Sequence, residues 1–103
     1  MWSYFTGLTA KRITEMPIEK LALVTLRDIS INATGGMSVD NWARSVRRIL
    51  KKDRDAMRAV SEALAWLYNS MYLVRDLNVT TEGEWALISR AGKLWMEKSS
   101  LPK

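Results

Sequence analysis

The apolar positions of this chain recur mostly at helical spacing, and the polar positions between them mark where helices begin and end. After Pro17, apolar residues three and four positions apart predict a first helix that ends before Thr34-Gly35-Gly36. The apolar stripe is wide, so we expect this helix to be buried on more than one side. Ser38 is the expected N-cap of a second helix, whose apolar face runs from Val39 to Leu50.

A third apolar series runs from Met57 to Met71, and no glycine or proline separates it from the second. The pattern is therefore compatible with one helix over residues 38–71 or with two helices. We favour two helices, because Lys51 and Lys52 suit a helix C-terminus while Asp53 suits the N-cap of the next helix.

The pattern changes after the third series. Residues 72–77 and 84–88 are rich in strand formers, and residues 78–83 supply turn chemistry, which predicts a β-hairpin. Ser89 is the expected N-cap of a short final helix, from Arg90 to Lys98. The predicted fold class is mainly α with a small β-hairpin.

Residues 1–16 form an apolar N-terminal arm ahead of a domain at 17–98, and residues 99–103 form a short tail. One interpretation is that the arm packs on the domain or forms an extra helix. The other is a dimerisation arm, because exposed aromatic residues are typical of protein interfaces. The residues of such an interface would be Trp2, Tyr4 and Phe5.

Composition argues against catalysis. The 103 residues include no cysteine and no histidine, which excludes disulfides, thiolate zinc sites and Ser-His-Asp arrangements. Acidic residues such as Asp40, Glu62 and Asp76 fall on different elements without metal-ligand spacing. We therefore expect no catalytic residue, no cofactor and no metal. Because neither a signal peptide nor a membrane span is visible, we expect a cytoplasmic protein without membrane contact.

The net charge of +5 is concentrated in one segment. Residues 44–58 hold seven basic and two acidic residues, so this segment accounts for the whole excess. It covers the second predicted helix and the start of the third. A basic run on an amphipathic helix is typical of a solvated face, but also of a surface that binds nucleic acid or an acidic protein.

The order helix, helix, helix, hairpin, helix resembles that of the winged helix-turn-helix superfamily, with residues 62–93 the distinctive part. Residues 62–75 are similar to the end of a recognition helix that runs into the first wing strand. Residues 85–93 are similar to the second wing strand, which in this superfamily often ends in Leu-Thr-x-x-Gly and here reads Ile88-Ser89-Arg90-Ala91-Gly92. Where the superfamily commonly has glycine before the first wing strand, this chain has Ser70-Met71, so we expect Asn69 or Ser70 to adopt any left-handed conformation required.

The resemblance implies a DNA-binding protein, either a transcriptional or a mobile-element regulator, that binds duplex DNA and forms a homodimer. Arg54 and Arg58 would read guanine, and the other basic residues would contact phosphates. The expected nucleic-acid-binding residues are Arg44, Arg47, Arg48, Lys51, Lys52, Arg54, Arg58, Ser61 and Asn69. The wing tip, residues 78–84, has two acids and no base, which argues against contact with the minor groove. The alternative function is a non-catalytic protein-protein interaction module: an adaptor, a complex subunit or an inhibitor of a nucleic-acid-handling complex.

Overall fold

The computed structural model describes residues 3–32, 37–77 and 85–99. In this part of the chain there are five α-helices, one 3-10 helix and three short strands. In chain order they are the 3-10 helix Tyr4–Gly7, α1 Ala10–Glu15, α2 Ile18–Asn32, β1 Met37–Ser38, α3 Val39–Ile49, α4 Arg54–Asn69, β2 Leu73–Arg75, β3 Trp85–Ile88 and α5 Arg90–Lys98. The protein is thus mainly helical with a small antiparallel sheet, which confirms the predicted fold class at that level.

Helix α2 packs against the 3-10 helix, α4 and α5. Every residue from Leu21 to Leu26 is buried, so side chains on all sides of the helix are covered. This confirms the burial on more than one side that the wide apolar stripe predicted. Arg27 of α2 also donates to the backbone oxygens of Met96 and Ser99, and thereby satisfies carbonyl groups at the C-terminus of α5.

A turn separates α3 from α4, which confirms the prediction of two helices. The Asp53 side chain accepts a hydrogen bond from the Ala56 backbone N–H at 2.9 Å and so caps α4. Lys51 and Lys52 lie just beyond the end of α3, where both adopt left-handed backbone conformations with φ of 54° and 61°. The predicted caps Ser38 and Ser89 likewise accept hydrogen bonds from the first turns of α3 and α5.

The three strands form one antiparallel sheet in the order β1-β3-β2. Strands β2 and β3 pair with Val74 opposite Leu87, which confirms the predicted hairpin. The sequence did not predict β1, because two residues are too few to show the alternation of a strand. Its pairing, Met37 with Ala86 and Ser38 with Trp85, ties the start of α3 to the hairpin.

The connection from α4 to β2 differs from the expectation. Met71, and not Asn69 or Ser70, adopts the left-handed conformation, with φ of 64°. The backbone N–H groups of Met71 and Tyr72 donate to the carbonyls of Tyr68 and Leu67, which is the hydrogen-bond pattern of a Schellman motif. That motif places the left-handed residue two positions beyond Asn69, the last residue of α4.

The N-terminal arm packs on the domain and contributes both the 3-10 helix and α1. Phe5 and Ile13 are buried, and Asp28 of α2 fixes the start of the arm. The Asp28 carboxylate is fully buried and accepts hydrogen bonds from Ser3 Oγ at 2.7 Å, from the Tyr4 backbone N–H at 3.0 Å and from Trp42 Nε1 at 3.0 Å. One side chain thus connects the arm, α2 and α3.

Candidate nucleic-acid interface

The seven basic residues of segment 44–58 follow one another along α3, the turn after it and the start of α4. Arg44, Arg47 and Arg48 lie on α3, Lys51 and Lys52 lie in the turn, and Arg54 and Arg58 lie on α4. All seven side chains are exposed. We call these residues the basic cluster.

Helix α4 presents a continuous outward face. The exposed residues Arg54, Arg58, Ser61 and Asn69 recur at helical spacing along it. The inward face packs against α1 and α2 through four buried residues. These are Ala56, Val60, Ala63 and Leu67. The outward face extends about 22 Å from Arg54 to Asn69, because a helix rises 1.5 Å per residue. Every residue that the sequence assigned to this face is exposed.

One of these side chains already has a partner. The Ser61 hydroxyl donates to the Met57 backbone oxygen at 2.9 Å, within its own helix. Its oxygen can still accept a hydrogen bond, but its proton is occupied. Ser61 therefore suits contact with a donor, such as the amino group of adenine or cytosine, better than contact with a phosphate.

Charges within the basic cluster differ in what they contribute to the fold. Arg47 and Arg48 lie in the last turn of α3, where positive charge is favourable with the helix dipole. Arg54 is the first residue of α4, where the dipole already contributes positive potential. Arg54 therefore opposes helix formation slightly and adds to the field that attracts an anion.

No side chain of the basic cluster forms an ion pair within 4 Å in the part of the chain that the structure describes. Among the described residues, an ion pair joins Lys11 and Glu15 at 3.9 Å, but both residues lie outside the cluster. Both acids inside segment 44–58 act on α4, since Asp53 caps it and Asp55 lies in its first turn. The cluster therefore presents seven cations to solvent.

The structure does not bring Tyr4 and Phe5 of the predicted arm interface together as an exposed surface. Phe5 is 1% exposed and packs edge-on against Trp42, with 6.4 Å between ring centroids. It belongs to the core and is not an exposed interface residue, because the arm folds back onto α2 and α3. Tyr4 is half-buried, and Trp2 lies outside the described residues.

An aromatic cluster that the sequence did not assign to a site lies at the other end of α4. The rings of Tyr72 and Trp95 stack with 4.7 Å between centroids, and Trp66 contacts both. All three rings are half-buried. Met71 and Leu94, which precede Tyr72 and Trp95 in the chain, are 64% and 54% exposed. Helical spacing could indicate the partial exposure of Trp66, but only the fold brings Tyr72 and Trp95 to it.

The wing tip, residues 78–84, lies outside the described residues, so its acidic character stays a sequence observation. Among the described residues, no group of three or more acidic side chains could hold a metal ion. In the same part of the chain, no helix has the length and apolar content needed to cross a membrane. No family model, curated protein or solved structure matches this chain.

Proposed function

We propose that this chain is a winged helix-turn-helix protein that binds duplex DNA through the basic cluster and acts as a regulator by occupying its site. The observation that carries the proposal is the basic cluster itself: seven exposed cations on consecutive elements, with no acidic partner in the described part of the chain. Phosphates of duplex DNA supply a matching density of negative charge.

The element order supports the winged-helix assignment. Three helices, α2, α3 and α4, precede a hairpin that β1 ties to the start of α3, and a helix follows the hairpin. The glycine of the Leu-Thr-x-x-Gly pattern also has a physical role here. A Cβ on Gly92 would lie 2.5 Å from the Tyr72 carbonyl oxygen, so the close approach of α5 to the residue before β2 requires glycine.

In this proposal α4 enters the major groove, which has the width of a helix with its side chains. Arg54 and Arg58 read guanine from the outward face, and Asn69 contacts a base or phosphate at its far end. Arg44, Arg47, Arg48, Lys51 and Lys52 neutralise phosphates. Five such contacts predict that affinity falls about 500-fold between 50 and 200 mM salt.

The test is fluorescence anisotropy of a labelled random-sequence duplex at both salt concentrations. We expect binding with a steep salt dependence, and weaker binding by R54A/R58A. The matched control is K93A/K98A, which removes the same charge from α5. No binding by the parent protein at about 50 mM salt would refute the proposal, since counterion release is strongest there. Equal losses in the two variants would refute the assignment of the site.

A second candidate function is a protein-protein interaction module, and the aromatic cluster at the end of α4 favours it. Partly exposed aromatic rings beside exposed apolar residues are typical of interface cores. The same surface would serve a homodimer. Light scattering across the micromolar range tests this, with L94E expected to abolish association. A parent protein that is monomeric throughout and fails to bind any partner by this surface would argue against it.

A further inference from the structure

The turn between α3 and α4 has a backbone conformation that its two residues, both lysines, rarely adopt. The Asp53 backbone N–H donates to the Leu50 carbonyl oxygen at 3.1 Å, and the two residues between them, Lys51 and Lys52, both have positive φ. This is the pattern of a type I′ turn, which strongly favours Asn-Gly or Gly-Gly. Two lysines occupy these positions instead.

Both neighbouring helices hold the turn in this geometry. The backbone N–H groups of Lys51 and Lys52 donate to the carbonyls of Arg48 and Arg47, and so close the end of α3 in a Schellman motif. On the other side, Asp53 caps α4. The lysines are therefore constrained to the left-handed region, which L-residues with a Cβ adopt unfavourably.

No ion pair of the two lysine side chains offsets this strain in the described part of the chain. Both are exposed, and neither has an acidic partner within 4 Å there. Lysine at these two positions therefore lowers the stability of the fold relative to Asn-Gly. What lysine adds is two positive charges on a rigid turn, between Arg47 and Arg48 at the end of α3 and Arg54 at the start of α4.

We propose that the Lys51-Lys52 turn is a preorganised phosphate anchor, at which the protein gains affinity for the DNA backbone and loses folding stability. The inference rests on the proposed DNA-binding function. Because the backbone of the turn is fixed before binding, less conformational entropy is lost when the two ammonium groups contact phosphates. The opposite signs of the two effects distinguish an anchor from an ordinary solvated turn.

The test compares the parent protein with K51N/K52G, which supplies the preferred type I′ sequence and removes both charges. We expect the melting temperature to rise by about 4–8 °C in a domain of this size. We expect affinity for duplex DNA to fall about 5-fold per lysine at 0.15 M salt, and the slope of log K against log salt to decrease by about 1.8.

Two control variants separate charge from position. K93Q/K98Q removes the same charge from α5, whose Trp95 contacts Trp66 of α4, about 20 Å along that helix from Asp53. It should keep nearly parent affinity, because the Debye length is about 8 Å at this salt concentration. K51R/K52R keeps both charges in the same strained backbone and should change neither affinity nor melting temperature substantially.

Each outcome is decisive for the anchor. If K51N/K52G is more stable but keeps the parent's affinity and salt slope, the assignment of the turn as a phosphate anchor is wrong, while the DNA-binding proposal stands. If K51N/K52G loses no more affinity than K93Q/K98Q, the effect is net charge and the anchor is again wrong. A lower melting temperature for K51N/K52G would overturn the assigned strain. Failure of the parent protein to bind DNA would overturn the DNA-binding proposal and the anchor together.

Discussion

Replacement of Asp28 by alanine should remove a large part of the stability of this fold. The Asp28 carboxylate is fully buried and accepts three hydrogen bonds, from Ser3, Tyr4 and Trp42. In D28A these three donors lose their acceptor, and each buried donor left unpaired costs about 1–3 kcal/mol. The first residues of the arm can detach and hydrate two of the donors, so we expect a total loss of about 3–5 kcal/mol.

Urea unfolding followed by circular dichroism and tryptophan fluorescence measures this loss. With an m value typical of a chain of this size, that loss of unfolding free energy lowers the urea midpoint by about 2 M. D28N should be intermediate, because its amide keeps one acceptor oxygen but turns an NH2 group towards a donor. The control is D40A, which removes an exposed carboxylate from the first turn of α3.

D40A should cost no more than about 1 kcal/mol, the size of a helix-dipole interaction. The role assigned to Asp28 would be refuted if D28A and D40A shifted the midpoint equally. A double-mutant cycle with S3A and W42F gives a second check. Because both side chains donate to one carboxylate, their effects should be non-additive, and strict additivity would contradict the connection between arm and α3.

Three further substitutions test local features by their melting temperatures. G92A should destabilise by about 1–3 kcal/mol, because its Cβ would lie 2.5 Å from the Tyr72 carbonyl oxygen, whereas G7A, with open space around its Cβ, should be nearly neutral; equal shifts would contradict the close approach. T25V should stabilise by about 1 kcal/mol, since the Thr25 hydroxyl is buried and has no hydrogen-bond partner among the described residues; destabilisation would indicate a partner. M71G should stabilise by about 0.5–1 kcal/mol by relieving a positive φ at an exposed side chain; any loss of stability would argue that Met71 packs favourably.

Much of the helical fold followed from local rules. Side chains that cap helices hydrogen-bond backbone groups three residues away, so Ser38, Asp53 and Ser89 could be assigned without knowledge of the fold. Helical periodicity likewise separated the outward face of α4 from its buried face. The basic cluster could be predicted for the same reason, because residues close in sequence on two consecutive helices stay close in space.

Features that depend on distant residues were not predictable. Asp28 is a carboxylate in a mostly apolar helix, and its partners come from residues 25 positions earlier and 14 positions later. Phe5 carried the aromatic character of an interface residue, yet the fold of the arm buries it against Trp42. Strand β1 exists only because β3 is beside it, since two residues have no strand pattern of their own.

The sequence by itself determined where α2, α3, α4 and α5 begin, which face of α4 is polar and where the positive charge lies, because those properties depend on neighbours along the chain. Hydrogen bonds among residues 47–56 hold Lys51 and Lys52 in the left-handed region, a local geometry that the charge and capping pattern did not predict. Only the tertiary structure placed Gly92 against the backbone of Tyr72, and the aromatic cluster at the far end of α4 from the basic cluster. The positions of Gly92 and of the aromatic cluster require elements distant in sequence to pack together, and packing is a property of the whole fold.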